Sequence, residues 1–243
     1  MITKIKRKIN TFRSVKYKNF NLPITRTNQG LNDNENYLNS SKEQIDHLVT
    51  LNLINENSKI LDFGSGQGRL VNGLKFAEIK VKEYTGVDTD LNSIKWCNRF
   101  LSHYNQNLNF IHLPAFNARY NKSANGLLEI PVENEKYDLV FLNSVFSHMI
   151  SNDVEFYLKE FNRILTKNGS IYLTAFTEKN VPSVEENPID YLNETNKNGL
   201  LHRVRFEVNY FNDLIKKSGL KTEHYFHQHI ERSKQSVFVL KKA

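Results

Sequence analysis

The clearest chemistry lies in one run, Asp62-Phe63-Gly64-Ser65-Gly66-Gln67-Gly68-Arg69, with Asp88 standing 26 residues after Asp62. Glycines at such a turn let the backbone bend sharply and approach a ligand closely at the N-terminus of the following helix. A dinucleotide fingerprint needs its third glycine at position 69, where Arg69 stands, and here an acid, Asp62, precedes the first glycine. A cationic ligand bearing an amino-acid moiety suits that pattern better than a pyrophosphate. Asp88, closing the next strand, can accept hydrogen bonds from both hydroxyls of a ribose. His148 is the remaining candidate, because imidazole titrates in the range needed to take a proton from a hydroxyl.

The elements around these residues read as an alternating series. Lys59–Phe63 is a short strand running into the glycine turn, and a helix over Arg69–Ala77 follows it. Glu83–Val87 is a second strand, Leu91–His103 a helix, and Leu108–His112 a third strand. Asp138–Leu142 is nearly all apolar, as a strand buried on both faces should be. His148 falls just past it, at the carboxyl edge where open α/β sheets bind ligands. Upstream, Ser40 with Glu43 three residues later predicts a capping box that opens a helix running to Ile54. Downstream, Val154–Leu165 reads as a helix stopped by Lys167-Asn168-Gly169, then Ser170–Phe176 as a strand and Glu207–Ser218 as a helix. Two closing runs, near Thr222–His229 and Ser236–Lys241, are too closely spaced for a helical crossover and should pair antiparallel. The series predicts a doubly wound α/β fold with a mostly parallel sheet. Thr177–Phe206 has two prolines and no periodicity over 30 residues, which points to a lid or binding insertion.

Composition excludes several classes. With 243 residues, 39% hydrophobic and 24% charged, the chain is neither disordered nor collagen-like. Its apolar stretches are far shorter than the ~20 residues that span a bilayer. The single Cys97 excludes a disulfide framework and fits a reducing cytoplasm, where it should be a small buried apolar residue. The net charge of +7 resides in residues 1–20, which hold seven basic residues and no acid, so the body is neutral and no nucleic-acid partner is expected. Within that stretch Ile2, Ile5, Ile9 and Phe12 share one side of a helix, a pattern that allows peripheral contact with an anionic membrane. A solvated tail is the competing reading. No apolar h-region of a signal peptide is present, which agrees with a cytoplasmic location. Of His224, His227 and His229 only the last two share a strand face, and no metal is expected there.

The sequence resembles the class I S-adenosylmethionine-dependent methyltransferases. Asp62-x-Gly64-x-Gly66-x-Gly68 is similar to their first motif and Tyr84-Thr85-Gly86-Val87-Asp88 to the next. A likeness to one bacterial subgroup runs through Ser93-Ile94-Lys95-Trp96-Cys97, Val140–Met149, Tyr157-Leu158-x-Glu160 and Arg163-Ile164-Leu165-x-x-x-Gly169. The resemblance implies a Rossmann-like seven-stranded sheet with the last strand antiparallel. It implies S-adenosylmethionine as cofactor, with Gly64, Ser65, Gly66 and Gly68 passing beneath its methionine part. Asp62 would orient that loop and meet the amino group, Asp88 would hold the ribose, and Thr89 would lie beside the adenine. Asn143 and Ser144 would border the sulfonium through their backbone. One departure stands out: the subgroup's acid two residues past the third strand is replaced by Pro114. Adenine contacts then fall to the backbone near Ala115 and Phe116, or to Asn117.

The resemblance also implies that residues 1–39 form a basic arm and cofactor-covering segment, with Arg26 and Tyr37 near the substrate. Residues 40–243 would be the methyltransferase domain, with its lid at about 177–206. His202, Arg203 and Arg205 in the lid could grip a phosphate or carboxylate, and an extended stretch would set the two arginines on one face. The implied reaction is methyl transfer to a hydroxyl of a small-molecule or carbohydrate-type acceptor, in a subgroup associated with surface polysaccharide biosynthesis. Two alternatives stay open: N-methyl transfer to an amino-sugar or amine, and a non-catalytic cofactor-binding subunit suggested by Pro114.

Overall fold

The computed structural model describes residues 13–24, 33–104, 107–117, 121, 126–189, 191–193, 203–230 and 233–243. By packing, the chain divides into residues 1–112 and 113–243.

The first unit opens with a hairpin of β1 (Ser14–Tyr17) and β2 (Phe20–Pro23). Phe20 and Leu22 of the hairpin bury themselves against Tyr37 and Leu38 of helix α1 (Asn34–Thr50). This helix starts six residues before the expected Ser40. Asp33 caps it by accepting from the Asn36 amide at 2.9 Å, while Ser40 and Ser41 bond back to the Tyr37 carbonyl at 3.0 and 2.7 Å. Three parallel strands follow, β3 (Lys59–Phe63), β4 (Glu83–Asp88) and β5 (Leu108–His112), with β4 in the middle. Helix α2 (Arg69–Phe76) joins the first two, and α3 (Leu91–Phe100) joins the second and third. In register, Asp62 lies beside Gly86 and Asp88 beside His112, so both acids stand at carboxyl ends. Trp96 is fully buried and donates its indole N–H to the Arg13 carbonyl at 3.1 Å, tying α3 to the start of the hairpin. Cys97 is buried, as expected.

The second unit holds β6 (Tyr137–Leu142), helix α4 (Ser151–Ile164) and the long β7 (Leu165–Glu178), which runs parallel to β6. The Lys167-Asn168-Gly169 stop lies inside β7 rather than after a helix. A register shift at Tyr137/Leu139 absorbs it, and α4 gives way to strand at Leu165. After β8 (Val184–Glu186) and β9 (Val204–Glu207) come helix α5 (Val208–Lys217), β10 (Leu220–Ile230) and β11 (Gln235–Lys242). The last strand inserts between β10 and β7, antiparallel to both. Part of the expected lid is therefore sheet: β9 runs parallel to the end of β7, pairing Arg205 with Phe176, and β8 lies antiparallel on β9. Phe161 of α4 and Phe211 of α5 pack with Phe146 and Phe238 in the core. Glu160 and Arg163 pin the chain before β6, accepting from the Ile130 amide and donating to its carbonyl, each at 2.9 Å.

The chain is thus mixed α/β and Rossmann-like, its main strands mostly parallel with an antiparallel edge, three in the first unit and four in the second. No helix among the described residues is long and apolar enough to cross a membrane.

Candidate functional site

In the first unit, β3 ends at Phe63 and the chain turns through Gly64, Gly66 and Gly68 with φ of 80°, 53° and 69°. Gly68 closes the loop as the N-cap of α2, and a Cβ there would stand 2.2 Å from the Leu101 side chain. The amides of Gly64 and Ser65 both donate to the Val87 carbonyl, at 2.8 and 3.1 Å, hanging the loop on β4. Gly86 makes room for it, since a Cβ in mid-strand would meet Ser65 Oγ at 2.9 Å.

Asp88 holds the loop from the far side. One carboxylate oxygen accepts from the Gly66 amide and the other from the Asp90 amide, both at 2.7 Å. Each oxygen keeps a further lone pair, so the group can still accept from two ligand hydroxyls. Asp62 is buried beneath the loop and accepts from the Tyr84 hydroxyl at 2.6 Å. Burial pushes its pKa up to about 7 against the pull of that hydrogen bond. Asp88 is more open, and burial opposed by its two amide partners raises it to about 6. No lysine or arginine among the described residues forms an ion pair with either acid.

These residues fit S-adenosylmethionine. Two carboxylates, one buried and one half-buried, with no salt bridge to a lysine or arginine among the described residues, would repel a pyrophosphate and favour a ligand with positive charge and hydroxyls. Ser65 Oγ, buried beside them with no hydrogen-bond partner, is a polar atom left for a ligand to satisfy. Thr89 lies next to Asp88, its carbonyl 3.2 Å from His112 Nε2.

The second unit carries the remaining candidates. Ser144, just past β6, has a φ of 60°, a left-handed conformation uncommon outside glycine. Its amide donates to Thr174 Oγ1 at 2.8 Å, and its hydroxyl accepts from Gln235 Nε2 at 2.8 Å. Asn143 Oδ1 lies 3.2 Å from the same threonine hydroxyl. His148 ends a 3-10 turn over Phe146–His148 and is half-buried. Ser147 anchors that turn by donating to the Ser144 carbonyl at 2.9 Å. Helix α4 has Ile150 at its N-cap and no side-chain cap, so His148 does not cap it. Ala115 and Phe116 both spend their amides inside the chain, on the Leu113 and Gly126 carbonyls at 2.7 Å, which leaves neither amide for an adenine. Asn117 is buried and pairs with Asn121.

In the insertion, Arg203 and Arg205 do share a face. Arg203 lies 4.7 Å over the Phe176 ring and donates to the Tyr191 carbonyl at 2.9 Å; Arg205 lies 4.7 Å over the Tyr191 ring and is ion-paired with Glu185. Tyr37, expected near the substrate, is instead fully buried in the hairpin core. Arg26, His202 and the apolar side of residues 2–12 lie outside the described residues. Sequence reasoning gave no role to Tyr84, Thr174 or Gln235. Tyr84 and Gly86 are within reach of a local reading, since a glycine in mid-strand signals close approach; Thr174 and Gln235 are not.

Fold and loop together are Rossmann-like, with an acid-flanked glycine turn at the carboxyl end of β3. Residues 61–171 match the family model described as a methyltransferase domain. Among solved structures, magnesium protoporphyrin IX methyltransferase from Synechocystis PCC 6803, with bound SAH, is 10% identical with a TM-score of 0.58, over 99% of this chain and 95% of that one. The 1,6-didemethyltoxoflavin-N1-methyltransferase of Burkholderia thailandensis, with bound S-adenosylhomocysteine, is 13% identical with a TM-score of 0.55, over 90% and 84%. The CcbJ methyltransferase from Streptomyces caelestis is 12% identical with a TM-score of 0.56, over 84% and 89%. At such identities the likeness is one of fold. The family match makes residues 61–171 a methyltransferase domain, for which S-adenosylmethionine is the cofactor that the loop and its acids suit.

Proposed function

We propose that this enzyme methylates a hydroxyl oxygen of a small-molecule or carbohydrate-type acceptor, with His148 as the base. The carrying observation is the turn after β6, where a half-buried His148 hangs on the left-handed Ser144 at a carboxyl strand end. When bound, the cofactor supplies a methyl group on a sulfonium. Asp62 faces its ammonium, Asp88 takes the ribose hydroxyls with Thr89 alongside, and Gly64, Ser65, Gly66 and Gly68 line the loop. A place for Asn143 and Ser144 beside the sulfonium, through their backbone, rests on the sequence alone. His148 accepts the proton that the acceptor hydroxyl loses. Arg203 and Arg205 give the insertion a cationic, aromatic-lined face for an acidic group on the acceptor.

A role in surface polysaccharide biosynthesis in the cytoplasm, acceptor contacts from Arg26 and His202, and membrane contact by residues 1–20 rest on the sequence alone. So does a covering role for residues 1–39 over a domain of residues 40–243. N-methylation is the second reading, favoured by the similar Burkholderia enzyme, whose name specifies a nitrogen. Release of S-adenosylhomocysteine with parallel panels of sugars, phosphosugars, phenols and amines tests both. Turnover of hydroxyl acceptors, cut ~10²-fold by His148→Ala with cofactor affinity unchanged, supports the proposal. Turnover confined to amines overturns it.

A further inference from the structure

His112 is the last residue of β5 and the register partner of Asp88, so the two stand side by side at the carboxyl ends of their strands. The imidazole is half-buried, and its Nε2 lies 3.2 Å from the Thr89 carbonyl, just past the end of β4. A carbonyl oxygen can only accept, so this contact places the ring proton on Nε2. Nδ1 of the neutral ring is then an acceptor that meets no partner among the described residues.

The acids around it are engaged differently. Asp88 takes the Gly66 and Asp90 amides on separate oxygens and keeps a lone pair on each for hydroxyls. Asp90 turns inward to cap α3, accepting from the Asn92 and Ser93 amides at 3.1 and 3.2 Å and from the Ser93 hydroxyl at 2.7 Å. His112 Nδ1 is left as a neutral acceptor whose direction the Thr89 carbonyl sets. Ser65 Oγ, in the glycine loop hung on the same β4, is buried with no hydrogen-bond partner, so this end of the unit holds polar groups that a ligand would complete.

A neutral acceptor of fixed direction can tell one purine from another. Adenine carries an amino group at C6, which donates; hypoxanthine carries an oxo group there, which accepts. We propose that His112 is a specificity-determining residue, accepting the adenine amino group at Nδ1 and disfavouring a 6-oxopurine. This rests on the reading that Asp88 holds the ribose with Thr89 beside the base. Opposite an oxo group Nδ1 would face a second set of lone pairs, and a site built to accept a hydrogen bond rejects the analogue that cannot donate it.

The test is calorimetric titration of the full-length protein with S-adenosylhomocysteine and with S-inosylhomocysteine, its deaminated form, which keeps the ribose and the homocysteine. At pH 8, where imidazole is neutral, wild-type protein should prefer the adenosyl ligand ~10-fold or more. His112→Phe keeps a flat ring without nitrogens; it should weaken S-adenosylhomocysteine ~10-fold and change S-inosylhomocysteine less than ~3-fold. His112→Asn, whose Oδ1 can stand where Nδ1 stands, should keep most of the preference. Asp88→Ala should weaken both ligands alike, since it meets the sugar. A side chain that merely supports the end of β5 moves both affinities together. Equal weakening of both ligands by His112→Phe, or wild-type protein without a preference, therefore overturns the proposal and leaves the cofactor reading standing. Wild-type protein that binds neither ligand, or binding indifferent to Asp88→Ala, removes that reading and the proposal with it. If His112→Phe does not fold, His112→Asn and His112→Ala decide: a preference kept by Asn and lost by Ala supports the proposal, and any other pattern overturns it.

Discussion

Binding of S-adenosylmethionine should strengthen as pH rises from 5 to 7, because the role proposed for Asp62, meeting the cofactor's ammonium, requires it to ionise. Burial places its pKa at about 7, with the Tyr84 hydrogen bond opposing the rise. At pH 5 about 1% of Asp62 is ionised and at pH 7 about half, so affinity should rise ~50-fold across that window. The cofactor's α-amino group belongs to a free amino-acid moiety, titrates above this window and stays charged throughout, so it adds no slope. Asp88, at about 6, adds a smaller increment of the same sign, since its protonated form still bonds ribose hydroxyls. Unliganded stability should run the opposite way. Both acids have folded pKa values above their usual 3.8, so the folded state holds more protons between about pH 4 and 7. The stability these groups contribute is full below about pH 4 and is lost as pH rises through 6 and 7. Calorimetry at fixed ionic strength, with thermal melts of the free protein alongside, reads both trends. Asp62→Asn should flatten most of the binding profile and lower affinity at pH 7. Wild-type affinity that is level or falls from pH 5 to 7 would refute the assignment of Asp62 to the ammonium.

Asp88→Ala should weaken S-adenosylmethionine at least tenfold, about 1.4 kcal/mol, by removing the charged acceptor proposed for the ribose; calorimetry at pH 7 checks it. Gly68→Ala should lower the melting temperature and abolish cofactor binding, because its φ of 69° and the 2.2 Å approach to Leu101 leave no place for a Cβ. Tyr84→Phe deletes the bond that restrains Asp62 and should move the midpoint of the binding profile to higher pH. Arg163→Ala should increase hydrogen exchange over residues 126–136, since Arg163 donates to the Ile130 and Val132 carbonyls and to the Asn134 side chain.

Much of the cofactor loop was legible in the sequence because its determinants are local. A strand, three glycines and a helix in unbroken succession over Lys59–Phe76 dictate one turn, and the strands Lys59–Phe63 and Leu108–His112 fall where the residues alone placed them. The antiparallel last strand was likewise a matter of spacing, since four residues between β10 and β11 leave no length for a crossover. Tertiary structure decided what depended on distant partners. Helix α1 starts at Asn34 because Tyr37 and Leu38 find a hairpin to pack against, which the Ser40–Glu43 pattern cannot reveal. That same packing buries Tyr37, which by position alone could have met a substrate. Strand β7 runs through an apparent helix stop because β6 offers it a ladder from Tyr137, and part of the insertion becomes strand because the end of β7 is there to pair with it. The hydrogen bonds at Ser144 were the least legible part, their partners lying 30 and 91 residues away. Nothing in the spacing of a threonine and a glutamine marks them as a pair, for only the pairing of β11 with β7 brings both side chains to Ser144.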